Sequence, residues 1–208
     1  MNKITKKLIL PLVFASSAEA IPSGIFVGGD IGVNIGLDTG IAKARIEGIP
    51  GYKATSFFSP TFGARVGYIL AINNYNAFKF TLSYNSAFYD SKASMKIGAG
   101  IDYLLSFSDK PDAAGLFLGG GYDFGIHDFA KGSKSYPNSK SNAPFAQIGI
   151  FKSLGSEGRW MLQFGAKYNF GSPYHYKSVT SPAAGTIVTR EYKGSGLLNL
   201  FFNVNYTF

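Results

Sequence analysis

The sequence predicts an all-β fold: an eight-stranded antiparallel transmembrane β-barrel with short periplasmic turns and longer extracellular loops. Three observations carry that expectation. Apolar residues alternate with small or polar ones in segments of about ten residues, the length that a tilted membrane-spanning strand needs. The chain has 26 Gly, 19 Phe and 13 Tyr but only 15% charged residues, where soluble domains carry about 25%. After residue 20 no apolar run approaches the roughly 20 residues of a spanning helix. Because lipid satisfies no backbone group, a chain of this kind can cross only as closed strands.

The first twenty residues, MNKITKKLILPLVFASSAEA, have a basic head (Lys3, Lys6, Lys7), an apolar run from Leu8 to Ala15 and small residues at Ala18 and Ala20. That is the pattern of a secretory signal peptide cleaved after Ala20. The domains expected are therefore a signal peptide over 1–20 and a barrel over 21–208. Cleavage takes 20 basic and 12 acidic residues to 17 and 11, and the net charge from +8 to +6. There is no Cys, so neither disulfides nor thiol chemistry are available.

The first strand runs from Gly24 to Leu37. Ile25, Val27, Ile31, Val33, Ile35 and Leu37 share one face; Phe26, Gly28, Asp30, Gly32, Asn34 and Gly36 share the other. The second sets Phe62, Ala64, Val66, Tyr68 and Leu70 against Gly63, Arg65, Gly67 and Ile69. After a turn at Asn73 and Asn74, the third sets Phe78, Phe80, Leu82, Tyr84 and Phe88 against Lys79, Thr81, Ser83 and Asn85. In the fourth, Met95, Ile97, Ala99, Ile101, Tyr103 and Leu105 oppose Lys96, Gly98, Gly100 and Asp102. SDKPD (108–112) leads to the fifth, with Leu116, Leu118, Tyr122 and Phe124 opposite Gly119, Gly121, Asp123 and Gly125. The sixth is least regular, with Ala146, Ile148 and Ile150 facing away from Gln147, Gly149 and Phe151. LGSEG (154–158) turns into the seventh, where Trp160, Leu162, Phe164, Ala166, Tyr168 and Phe170 oppose Gln163, Gly165, Lys167 and Asn169. The eighth is the terminal NLFFNVNYTF, apolar at every second residue from Leu198 to Phe208.

An even strand number brings both termini to one side, and the spacers then sort themselves. Short turns near 72–76, 108–113 and 154–158 fall on the periplasmic side; longer segments at 38–57, 127–143 and 171–193, with a short one at 89–93, fall on the other. A soluble barrel or sandwich alternates in the same way. The polar face decides between them: it is largely Gly where a solvated strand would carry Lys, Glu and Thr, and small residues suit the interior of a narrow barrel. Tyr68, Trp160, Tyr168, Phe170, Tyr206 and Phe208 fall near strand ends, where aromatic rings favour the headgroup level.

With its export signal, the first-strand FVGGDIGV (26–33), the alternating segments and the closing NYTF, the chain resembles the small outer-membrane barrels of Gram-negative bacteria: the OmpA transmembrane domain, OmpX and the opacity proteins. Its Gly-rich, Tyr/Phe-rich, basic style also resembles the small outer-membrane proteins of Helicobacter and its relatives. The resemblance is one of architecture. It implies an outer-membrane location and recognition of the last strand by the barrel assembly machinery, with Tyr206 and Phe208 as the assembly signal.

Charges expected in the lumen are Arg65, Lys79, Lys96 and Lys167 against Asp30, Asp102 and Asp123. They nearly cancel, and charges buried in a narrow interior persist only when paired and hydrogen-bonded. The expectation is a structural network that plugs the barrel, with Lys79 near Asp102; the alternative is a narrow pore for small solutes. The outer segments carry Lys43, Arg45, Lys131, Lys134, Lys140 and Arg190 with Tyr174, Tyr176 and Tyr192. Such groups suit lipopolysaccharide phosphates or, through Tyr, a host or surface ligand.

Catalysis, as in barrels that modify lipid A, needs a nucleophile beside an oriented base. The only His, His127 and His175, stand in HDFA and HYKS, not in the histidine-x-serine-asparagine stretch of the lipid A deacylases. No enzyme activity, metal or other cofactor is therefore expected. Nucleic acid is not an expected partner either, since the chain is expected to be exported and its Lys are scattered.

Overall fold

The computed structural model describes residues 20–36, 43–44, 58–89, 92–127, 139–170, 175–180, 188–193 and 197–208. In chain order the strands are β1 (Gly24–Gly36), β2 (Lys43–Ala44), β3 (Phe58–Asn73), β4 (Asn76–Tyr89), β5 (Lys92–Ser106), β6 (Ala114–His127), β7 (Ser139–Leu154), β8 (Trp160–Asn169), β9 (His175–Thr180), β10 (Val188–Lys193) and β11 (Leu197–Thr207). Eight of them close into a barrel in the order β1-β11-β8-β7-β6-β5-β4-β3. All the barrel pairings are antiparallel. Closure removes the free edges that an open sheet would leave unpaired. The seam joins β1 to β11 from Phe26 opposite Thr207 to Gly36 opposite Leu197, and the Phe208 N–H donates to the Ile25 carbonyl at 2.9 Å.

The faces follow the sequence parity. Outward lie Ile25, Ile31, Phe62, Leu82, Ile97, Leu118, Ile148 and Phe164, all exposed. An apolar belt of this kind around a closed sheet is the lipid-facing surface of a transmembrane barrel. Aromatic pairs mark both ends of the belt. At the turn end Trp160 and Tyr206 lie 4.9 Å apart between ring centroids, and Tyr206 meets Phe208 edge-on at 5.1 Å. At the other end Phe62 stacks on Phe88 at 5.3 Å and Tyr168 meets Phe170 edge-on at 5.2 Å. Tyr68 is in register with Ile25 and Phe80.

The three short turns form as the sequence predicts. At Asn73 the side-chain oxygen accepts from the Tyr75 N–H at 2.9 Å, an Asx-type turn. The turn over 155–158 needs left-handed backbone at both ends, and Gly155 (φ 91°) and Gly158 (φ 63°) supply it.

The outer segments depart from expectation in two places. β7 begins at Ser139 and β6 ends at His127, so residues 139–143 and His127, assigned to the 127–143 loop, are strand. The segment expected as a loop at 171–193 contains a hairpin: β9 pairs with β10, and β10 pairs with β2, in a three-stranded sheet. HYKSVT and VTREYK have no uniformly apolar face, so the period that reveals a half-buried strand is missing from them.

Candidate functional site: the barrel lumen

Inward-facing side chains come from every barrel strand, and glycines decide how far each can reach. Where the register sets a Gly between two inward residues on flanking strands, the gap lets a side chain pass over the middle strand. Asp30, Gly63 and Asn85 form one such row. The Asn85 amide, with its nitrogen toward the carboxylate, donates to the two Asp30 oxygens at 2.8 and 3.2 Å, and a Cβ on Gly63 would come within 2.9 Å of Asp30 Oδ1. Asp102, Gly119 and Gln147 form a second row; here Gln147 Nε2 donates to Asp102 Oδ1 at 2.5 Å.

The third row is apolar: Phe117, Gly149, Gly165 and Phe201 on four adjacent strands. The two rings lean over the glycines until their centroids are 6.2 Å apart. A Cβ on Gly149 would meet the Phe117 ring at 2.6 Å, and one on Gly165 would meet Phe117 at 2.7 Å and Phe201 at 2.9 Å. The lumen aromatics Phe117, Phe145 and Phe201 are the residues that face reading alone passed over. Their parity was available in the sequence; the registered glycines that give them room were not.

The charged groups sort into three clusters. Arg65 Nε donates to Asp30 Oδ2 at 2.7 Å, and its guanidinium lies 4.9 Å from the centre of the Phe201 ring. Lys167 Nζ pairs with Asp123 at 2.8 Å and sits 3.8 Å over the Phe145 ring. Cation–ring contacts of this kind stabilise a desolvated cation. Lys79 and Asp102 are directly opposite in register, as the expected pairing requires. Their hydrogen bonds nevertheless go elsewhere: Lys79 Nζ donates to Gln163 Oε1, and Asp102 accepts from Gln147. Asn205 also donates to Gln163 Oε1 at 3.2 Å and to Asn203 Oδ1 at 2.7 Å.

Phe26, Lys79, Phe117, Phe201, Gln163 and Asn203 are all fully buried. Toward the turns Ile21, Ile69, Ala77, Leu104, Phe151 and Met161 pack in one apolar cluster, with Ser106, Ser153, Asn205 and Thr207 buried at the same end. On the loop side lies a pocket lined by Arg65, Lys96, Asp123 and Lys167 with Asn34, Thr61, Asn85, Asn169 and Asn199. All seven charged residues expected in the lumen thus lie on inward-facing positions, and Lys96 is the one that lines the pocket without an ion pair among the described residues.

The fold can now be set beside known structures. The outer membrane protein OprG from Pseudomonas aeruginosa superposes with a TM-score of 0.54 at 11% identity, covering 91% of this chain and all of that one. This protein has the fold of a small outer-membrane β-barrel. Neisserial surface protein A (NspA) is also similar, at 15% identity over 89% of this barrel chain and 98% of its own, with a TM-score of 0.49. No protein-family model matches the barrel's sequence, and no curated protein does.

Of the outer groups, Lys43 lies in β2, Tyr176 in β9, and Arg190 and Tyr192 in β10, with Tyr176 and Tyr192 in register. Lys140 belongs to β7, opposite Ile126. Arg45, Lys131, Lys134 and Tyr174 lie outside the described residues. His127 ends β6 and His175 begins β9, on two different sheets. At the terminus Tyr206 is sandwiched between Trp160 and Phe208.

Proposed function

We propose that this protein is an integral outer-membrane barrel of a Gram-negative envelope whose lumen is closed, and whose work is to anchor the envelope surface and present its outer segments to surface ligands. The observation that carries the reading is the layer of fully buried Phe26, Lys79, Phe117, Gln163, Phe201 and Asn203 across the barrel. Packed side chains, two of them held by a hydrogen bond across the lumen, leave no water path there.

On this reading the signal peptide is removed after Ala20, and the barrel assembly machinery reads Tyr206 and Phe208. The basic outer groups Lys43, Arg45, Lys131, Lys134, Lys140 and Arg190 lie against lipopolysaccharide phosphates, and Tyr174, Tyr176 and Tyr192 serve as anchors for a ligand. No step requires a catalytic residue or cofactor.

The test is single-channel recording of refolded protein in planar bilayers, with insertion verified independently. The expected result is an inserted barrel without steps, and steps on replacing Phe117 and Phe201 together with Ala. Reproducible steps from the unmodified protein, altered by Arg65 or Lys167 substitutions, would replace this reading with a narrow pore.

A further inference from the structure

We infer that residues 21–23 form a plug that closes the turn-side mouth of the barrel, seated by the Ile21 side chain. Their place at the head of the processed chain rests on the reading that cleavage follows Ala20. The plug itself is a matter of where the segment packs.

The segment stands just outside the wall. Ile21, Pro22 and Ser23 precede β1, whose first residue is Gly24. There β1 stands opposite Ile69, while β3 runs on to Asn73, so the chain before Gly24 does not extend the wall alongside it. Pro22 has no N–H to give to a ladder. The Ala71 N–H donates instead to Ser23 Oγ, at 3.0 Å.

Having left the wall, the chain turns inward. Ile21 has no exposed surface, although it belongs to no strand. It shares one cluster with Ile69, Ala77, Leu104, Phe151 and Met161, which come from β3, β4, β5, β7 and β8. A side chain that joins a cluster drawn from five of the eight barrel strands lies across the tube and not along its rim. The main chain behind it stays at the level of the turns. A Cβ on Gly158 would come within 2.6 Å of the Pro111 carbonyl oxygen and 3.5 Å of the Ala20 carbonyl oxygen. The ammonium that cleavage leaves on Ile21 therefore forms close to the turns, with the Pro111 carbonyl near it as an acceptor.

What holds the segment also defines it as a plug. The Ala71–Ser23 hydrogen bond and the burial of Ile21 keep it in place without strand pairing. It is thus the part of the mouth that can open without unpairing the barrel. Anything approaching from the turn side must displace it first.

Thiol access tests this. The chain has no Cys, so one introduced thiol reports alone. In protein processed by the expressing cells and purified in detergent, Leu104→Cys should react with a bulky maleimide far more slowly than in the unfolded chain. Adding Ile21→Gly should speed that reaction about tenfold or more, since loss of a buried aliphatic side chain favours the open mouth, and Ile21→Asp should act in the same direction. Ile21→Cys places the thiol on the plug itself and should be protected too; it decides the matter if a thermal scan shows that the Leu104 variants do not fold. Labelling of folded Leu104→Cys or Ile21→Cys at the unfolded rate, or equal rates with and without Ile21→Gly, would overturn the plug. The intact mass of the same sample reports its first residue, so an uncleaved chain would sink the processing reading and leave the labelling result to stand on its own.

Discussion

The two halves of the barrel interior differ in what fills most of their width. Toward the turns, Ile21, Ile69, Leu104, Phe151 and Met161 pack as an ordinary hydrophobic core, entirely out of contact with solvent. Toward the longer connections, the same inward positions carry Asp30, Arg65, Asp123 and Lys167 in paired sets around a pocket. The contrast shows two ways of filling a tube of fixed width. Apolar rings fill it by volume, and small misfits are shared among neighbours. Charged groups fill it by pairing, and the loss of one partner leaves a whole charge stranded.

That contrast is broken most severely at Arg65. Arg65→Met strands Asp30, whose side chain is 3% exposed, and should lower unfolding stability by about 3–5 kcal/mol, read as a shift in the urea midpoint in detergent micelles. Overpacking the apolar row comes next. Gly165→Val places methyl groups where Phe117 and Phe201 already lie, and should cost about 1–3 kcal/mol; adding Phe117→Ala should recover part of the loss. If Gly165→Val proved more damaging than Arg65→Met, the division into volume-filled and charge-paired halves would have to be reversed. The smallest effect is expected outside both halves. Glu157 and Arg159 pair at 2.5 Å on the rim with side chains 65% and 45% exposed, and Glu157→Gln should leave thermal unfolding unchanged because exposed pairs contribute little.

Much of this was legible in the sequence, and the physics explains where legibility stopped. Strand parity is local, so Asp30 inside and Ile31 outside could be read from alternation alone. So could the turns, since Asn73 and the two glycines of LGSEG act within four residues of themselves. Register is not local. That Gly63 stands between Asp30 and Asn85, or Gly149 and Gly165 between two Phe, depends on how segments far apart in the chain are staggered. The same blindness explains Lys79. Its cross-strand neighbour Asp102 was visible from hairpin spacing, whereas Gln163, 84 residues away, was not. The β9–β10 hairpin escaped for a different reason, since strands without an apolar face lack the signal on which alternation depends.

The joint between residues 26–36 and 197–207 has a consequence for timing. Every other neighbouring pair in the cylinder links segments consecutive around it, and can zip as the chain arrives. This pair cannot begin until β11, the last of the barrel strands in chain order, has been made. Until then both partners show bare backbone and greasy flanks, the condition in which strands find the wrong neighbours. The molecule therefore depends on being kept apart from its fellows until β11 arrives, and a lesion in residues 197–207 would leave the cylinder open with both edges bare.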